Sequence, residues 1–358
     1  MKKIKVGIIG CGMVAQTMHL PYLKELEEQF EIKAICDISP RLLKKIGDFY
    51  GIKERYTDYR KLLDSGIDAV LVLTINHAEV VVAAAKAGKH IFVEKPLCNN
   101  LEEADKILKV VEDNKVKLMV GYMKRFDPGY LYGKELIRKM RDIRLIRLHT
   151  VIGPNNLFLD DIYRIYRYND VSPRLIEEAK IKEDESYRTA LGNNMTEILK
   201  TAYGLLLHLS THDLSILRGI FGVPKKIISA DIWADGLYYT AIMDYGNDLK
   251  CVFDTGLVME LKEFDEEMAV FSKDKIVKIQ FPSPFIKNAP THVRILEMEK
   301  GAFIEKKVLA SYEESFKKEL EHFYDCLVND KKPLTDGKDG REDIELALDI
   351  INAYERNN

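Results

Sequence analysis

Three groups of residues in this chain have types and spacings that could do chemistry. The first is Gly10-Cys11-Gly12-Met13-Val14-Ala15, a G-x-G-x-x-A run directly after the apolar stretch Ile4 to Ile9. Such a run suits phosphate binding. Gly10 allows a tight turn, Gly12 lets the backbone that continues into Met13 and Val14 approach a pyrophosphate, and Ala15 lets helix and strand pack closely. The helix N-terminus behind it offers unpaired N–H groups and the positive end of its dipole. Asp37 closes the next apolar run, at about the distance expected of a carboxylate that takes the ribose hydroxyls of a dinucleotide. That carboxylate repels a 2′-phosphate, so NAD is the favoured cofactor. Ser39 and Arg41 could receive the phosphate and keep NADP open, although Ser39 ahead of Pro40 also reads as a helix N-cap.

The second group is Glu94-Lys95-Pro96, at the end of the apolar run Ile91-Phe92-Val93. Pro96 keeps Lys95 out of helical geometry and places it where a strand ends, which is where open α/β sheets bind ligands. The third is His208-Leu209-Ser210-Thr211-His212-Asp213. One helical turn separates the two histidines, so both can face one pocket. The spacing also suits a metal, but no H-E-x-x-H pattern or cysteine pair accompanies it, and no metal is expected.

The elements that must position these groups follow from periodicity. Strands at Ile4–Ile9, Ile32–Cys36, Ala69–Leu73, Ile91–Val93 and Lys117–Val120 alternate with helices, the pattern of a parallel sheet covered on both faces. After Tyr122 the pattern changes. A helix near Leu131 to Met140 leads to a strand at Arg144–Val151 and a charged, helix-rich insertion around Asn155 to Thr201, expected to cover the pocket. Longer strands follow at Lys226–Trp233, Tyr238–Tyr245, Leu249–Gly256 and Met268–Phe271, and two helices close the chain. The expected fold is α/β. An N-terminal Rossmann dinucleotide-binding domain spans 1–122, and an α+β domain with a large open-faced, mainly antiparallel sheet spans 123–358.

With 358 residues, 46% hydrophobic and 31% charged, the chain is globular, and its net charge of −3 with scattered Lys and Arg gives no nucleic-acid partner. No stretch is long and apolar enough for a membrane span, and the apolar run after Met1-Lys2-Lys3, interrupted by Lys5 and ending at glycines, reads as a first strand and not as a signal peptide's apolar segment. Five cysteines, an odd number with no C-x-x-C pair, read as reduced thiols of a cytoplasmic protein, Cys11 being a small apolar filler.

Taken in order, the motifs resemble the glucose-fructose oxidoreductase, inositol dehydrogenase and rhizopine-catabolism (Gfo/Idh/MocA) family. The likeness runs through the glycine motif, Ala87-Gly88-Lys89-His90, Glu94-Lys95-Pro96, Gly121-Tyr122-Met123-Lys124-Arg125-Phe126-Asp127-Pro128, the histidine segment and Pro333-Leu334-Thr335-Asp336-Gly337. The resemblance implies hydride transfer between a nicotinamide cofactor and a sugar, polyol, inositol or related carbonyl compound, in a homodimer or homotetramer formed through the open sheets. It also implies roles. Lys95 resembles the catalytic lysine and His212 the catalytic histidine. Thr74, Asn76 and His77 resemble the segment beneath the nicotinamide riboside, with Glu94 beside the cofactor. Tyr122, Arg125, His208 and Asp213 become substrate contacts. Two positions depart from the family: His208 stands where an Asp is usual, and Ser215 where another Asp is frequent. Two other readings remain open at this point: a member that binds NAD without net redox turnover, as a regulator or an NAD-using glycosidase, and a carbonyl reductase using NADPH.

Overall fold

Apolar runs without alternation, such as Ala69–Val72, must be covered on both faces. The computed structural model, which describes residues 2–357, covers them so. Strands β1 (Ile4–Ile9), β2 (Phe30–Cys36), β3 (Glu54–Tyr56), β4 (Ala69–Val72), β5 (His90–Glu94) and β6 (Leu118–Gly121) form one sheet in the order β3-β2-β1-β4-β5-β6. Every pairing is parallel. Val6, Ile8, Leu71, Val72, Ile91, Val93 and Val120 are all fully or almost fully buried. Strand order reverses between β1 and β4, and that switch point opens a crevice at the carboxyl ends of the strands.

Strands β7 (Leu145–Ile152), β8 (Lys226–Trp233), β9 (Tyr238–Gly246), β10 (Leu249–Leu257), β11 (Phe264–Phe271), β12 (Lys275–Phe281), β13 (His292–Glu299) and β14 (Ala302–Leu309) form the second sheet. Its order is β14-β13-β12-β11-β7-β10-β9-β8. All pairings are antiparallel except β7 with β10. Alternation turns Ile146, Leu148 and Thr150 of β7 and Cys251, Phe253 and Thr255 of β10 inward. Helices Pro128–Ile137 and Thr211–Phe221 pack on this sheet. The opposite face, with Arg147, His149, Val252 and Asp254, stays partly open.

Several elements differ from expectation. The short β3 and the hairpin strands β12 to β14 are additional, and β11 begins at Phe264, not Met268. The helix expected at Leu131 to Met140 runs from Pro128 to Ile137, because the Asp127 side chain caps it by accepting from Tyr130 N–H at 2.9 Å. The chain also divides differently from a single cut after Tyr122. One unit comprises Met1–Tyr122, Tyr163–Gly192 and Glu319–Ile344; the other comprises Met123–Ile162, Asn193–Lys318 and Glu345–Asn358. The expected insertion is therefore shared, its central part completing the parallel-sheet unit and its flanks belonging to the second. Among the described residues, no helix is long and apolar enough to cross a membrane.

Candidate active site

The glycine loop joins β1 to a helix whose first turns include a π-wound stretch, Ala15–His19. Gly10 has φ +97°, and a Cβ there would lie 2.7 Å from the Leu73 carbonyl oxygen, so only glycine fits. At Gly12 a Cβ would meet nothing within 4 Å. The chain itself does not need glycine at that position; the free volume suits a ligand that approaches the backbone of Gly12, Met13 and Val14. Cys11 is buried behind the loop, and burial raises its thiol well above the ordinary range. It is a filler, not a nucleophile. The Asp37 carboxylate is fixed at the end of β2, where Oδ2 accepts from Cys11 N–H at 2.8 Å and Oδ1 from Ser39 N–H at 2.9 Å. Each oxygen keeps capacity to accept from a ribose hydroxyl. The residues present therefore fit a dinucleotide.

Beyond β4, Thr74 bonds the Asn76 carbonyl through its hydroxyl at 3.3 Å. His77 is buried, and its Nδ1–H donates to the Pro96 carbonyl at 2.6 Å, tying this loop to the turn after Lys95. Burial lowers the His77 pKa, so the ring is neutral and its Nε2 is an acceptor. Lys95 is half-buried at the end of β5, before a cis peptide bond to Pro96. Glu94 points the other way, into the core. Its Oε1 accepts from His19 Nε2–H at 2.6 Å, and its Oε2 accepts from Lys95 N–H at 3.3 Å. Burial alone would raise Glu94, but the His19 bond and charge hold it below the usual range. Glu94 thus holds the backbone of Lys95 from the core side. No metal was expected, yet donor atoms of His19, Glu94 and Glu319 lie within 4.8 Å of one another. Protons explain the grouping. Burial, and then the Glu94 charge, push Glu319 well above the carboxylate range, leaving it neutral beside an ionised partner. Glu319 lies more than two hundred residues from Glu94, so no local pattern announces the cluster.

The segment Tyr163–Gly192 follows the carboxyl ends of the parallel strands. Gln16, behind the glycine loop, exchanges two bonds with the Tyr166 backbone, Nε2 to the carbonyl at 3.0 Å and Oε1 from the N–H at 2.8 Å. Asn76, after β4, donates to the Ala179 carbonyl at 3.3 Å. Asn100, after β5, donates to the Ser186 hydroxyl at 2.8 Å, and that hydroxyl donates to Glu103 at 2.7 Å. Between this strap and the two helices beneath it lies a cavity of about 450 Å³, lined by Asn76, His77, Asn99, Lys182 and Ser186 among others.

In the parallel-sheet unit, Tyr122 is buried directly after β6. In the other unit, Arg125 is buried too and donates from Nη1 to the Ser215 carbonyl at 3.1 Å and to its hydroxyl at 3.4 Å. Ser215 thereby gains a function that the sequence did not suggest: it holds Arg125 in place. The histidine segment is wound as a π-helix over Leu206–Ser210 before the helix Thr211–Phe221 begins. His208 is exposed and His212 half-buried. Wide turns of this kind recur at functional sites.

Asp213 was expected to touch substrate. It is fully buried, because one residue along a helix turns about 100° and carries its carboxylate from the His212 side toward the sheet. There it faces Lys124, Thr150 and Glu266 of β11. Lys124 pairs with Glu266. Burial raises Asp213, and pushes Glu266 up to about 8 despite the opposing Lys124 charge, with Asp213 adding to the rise. Ser210 and the buried Tyr239 hydroxyl share a further bond in this layer. The cluster forms a polar floor that fixes the helix bearing His212. Glu266 lies before Met268, where the sequence expectation for this strand begins, so that expectation does not include it. The alternation Glu266, Met268, Val270 marks it as inward-facing.

A dinucleotide crevice with a glycine loop, a carboxylate at the end of β2 and a lysine at the end of β5 defines a nicotinamide-dependent oxidoreductase. Residues 4–122 match the model of the family described as "Oxidoreductase family, NAD-binding Rossmann fold". Over 296 residues the chain is 35% identical to the inositol 2-dehydrogenase/D-chiro-inositol 3-dehydrogenase of Lactiplantibacillus plantarum, covering 73% of this chain and 81% of that protein. It is 25% identical to the myo-inositol 2-dehydrogenase of Thermotoga maritima, over 96% of this chain and 94% of the other. The chain belongs to the Gfo/Idh/MocA oxidoreductase family. Its fold matches that of the aldose-aldose oxidoreductase of Caulobacter crescentus with a TM-score of 0.76 at 19% identity, over 100% of this chain and 99% of that one.

Proposed function

We propose that the chain is a cytoplasmic dehydrogenase that oxidises a secondary hydroxyl of an inositol, another polyol or a sugar, with NAD preferred over NADP. The nicotinamide, when bound, accepts the hydride. An alcohol gives up hydride only as its hydroxyl proton leaves, and we assign that proton to His212 as a neutral imidazole. Lys95, at the end of β5, is assigned the role of donating to a substrate oxygen and stabilising the negative charge that develops on it. Arg125, Tyr122 and His208 orient neighbouring hydroxyl groups, with Arg125 pre-set by Ser215. Thr74, Asn76 and His77 support the nicotinamide riboside. Copies associate through the open face of the eight-stranded sheet.

The observation that carries this reading is the free volume at Gly12 beside the Asp37 carboxylate, in a chain whose relatives are named as inositol dehydrogenases. The test is a screen. Purified protein is mixed with NAD or NADP and a panel of inositols, open-chain polyols and aldoses, and absorbance of the reduced nicotinamide is followed. Turnover of at least one such compound with NAD supports the reading. NAD binding with no turnover across the panel would favour a non-redox member, and turnover only with NADPH and carbonyl compounds would favour a reductase.

A further inference from the structure

In a Rossmann site the end of β2 decides between NAD and NADP, since the adenosine 2′-oxygen lies beside it and a 2′-phosphate needs donors there. The donors near this position are the Ser39 hydroxyl and the N–H of Arg41, in the first turn of the helix Pro40–Tyr50, where backbone N–H groups lack intrahelical partners. Both are already taken. Asp170, from the strap that Gln16 fastens to the glycine loop, accepts from the Ser39 hydroxyl at 2.5 Å and from Arg41 N–H at 2.9 Å. The Arg41 guanidinium is drawn to the Tyr168 ring, 4.6 Å from its centroid. The Ser39 bond keeps the Asp170 carboxyl below the usual carboxylate range, so it is charged. A 2′-phosphate would lose two donors and meet carboxylates on both sides, Asp37 and Asp170.

We propose that Asp170 is a cofactor-specificity residue: it fills, from within the chain, the anion position that a 2′-phosphate would occupy, and with Asp37 restricts the site to NAD. This rests on the dinucleotide reading above and adds a determinant that lies more than a hundred residues from the glycine motif. Strap and cofactor choice are then one device. NAD can bind under a closed strap, whereas NADP has to displace Asp170.

The test is calorimetric titration of the full chain with NAD and with NADP, for the parent, Asp170→Asn and Asp170→Ser. The parent should bind NAD at least about a hundredfold more tightly than NADP. Either variant should tighten NADP by about tenfold or more, the scale of removing one nearby like charge, with NAD changed by less than about threefold. Thermal melts check that the variants fold. As a second measurement on the unaltered protein, hydrogen exchange across residues 163–173 should slow with NAD and quicken with saturating NADP. An unchanged NADP-to-NAD ratio in both variants, or equal protection of the strap by both cofactors, overturns the proposal while leaving the dinucleotide reading intact. Binding of neither cofactor by the parent overturns that reading as well.

Discussion

Alanine at each of the two loop glycines should separate what the chain needs from what its ligand needs. At Gly10 the backbone φ of +97° puts any side chain in the left-handed region, and the new Cβ would sit 2.7 Å from the Leu73 oxygen and 3.0 Å from Thr74 N. The conformation alone costs about 1–2 kcal/mol, and overlap with backbone atoms that cannot move aside adds about as much again. Gly10→Ala should therefore lose roughly 2–4 kcal/mol and melt several degrees lower. At Gly12 no atom lies within 4 Å of the Cβ position and φ is ordinary, so Gly12→Ala should melt within about 1 °C of the parent. Yet its methyl enters the space through which a pyrophosphate reaches the backbone. Losing that approach is worth about 1–3 kcal/mol, a weakening of NAD binding by about ten- to a hundredfold, and Gly12→Val should do more. Ligand-free thermal melts and calorimetric titration with NAD supply both readings. Unchanged NAD affinity in Gly12→Ala would show that the pyrophosphate does not approach the glycine loop, and a parent-like melt for Gly10→Ala would show that the turn tolerates a side chain there.

Lys95→Met should leave NAD affinity nearly unchanged and lower kcat by about a hundredfold or more, as loss of a positioned acid–base or oxyanion-type group does, measured on the substrate the screen identifies. His212→Asn should lower kcat and remove the acidic limb of the pH–rate profile, while His208→Asn chiefly raises KM; mild kinetics for His212→Asn with abolished turnover for His208→Asn would exchange their roles. Glu266→Gln bears on stability. Because burial raises Glu266 from 4.5 to about 8, the folded chain keeps a proton that the unfolded chain releases. Its contribution is full below the lower value and is lost as pH rises through the upper one, by up to about 1.4 kcal/mol per pH unit. Denaturant unfolding across pH 5 to 9 should show a flatter profile for Glu266→Gln, and parallel profiles would place the shared proton elsewhere in the cluster.

The parts of the site that sequence revealed are those whose chemistry is local. The turn at Gly10, the cap at Ser39 and the strand end at Lys95 each depend on a few adjacent residues, and their geometry follows from them. Asp213 shows where that logic stops. Adjacent to His212 it reads as a site residue, yet the helical rotation between neighbours delivers it to the core. Asp170 and Glu319 carried no signal because their partners are distant in the chain, and Asp170 lies in a charged stretch that resembles a solvated surface. Strands β12 to β14 went unseen for a related reason. Val293 and Ile295 alternate inward, but the intervening Arg294 and the run Glu305-Lys306-Lys307 of β14 make the hairpin look like polar loop, the composition that protects an exposed sheet edge.

The return of Glu319–Ile344 to the parallel-sheet unit bears on how the chain is made. The edge of β6 is finished by Thr335, whose carbonyl accepts from Val120 N–H at 2.7 Å and whose hydroxyl donates to the Val120 carbonyl at 2.7 Å. Phe323 packs edge-on against Phe92 of β5, 5.8 Å between centroids, and the Tyr324 hydroxyl closes on the Lys2 carbonyl at 2.9 Å. During synthesis, residues 4–122 therefore have the strands of a nucleotide-binding sheet but not its edge or the cover of one face. That surface stays exposed until some two hundred further residues have been synthesised. Removal of residues 319–358 should therefore lower the soluble yield relative to the full chain.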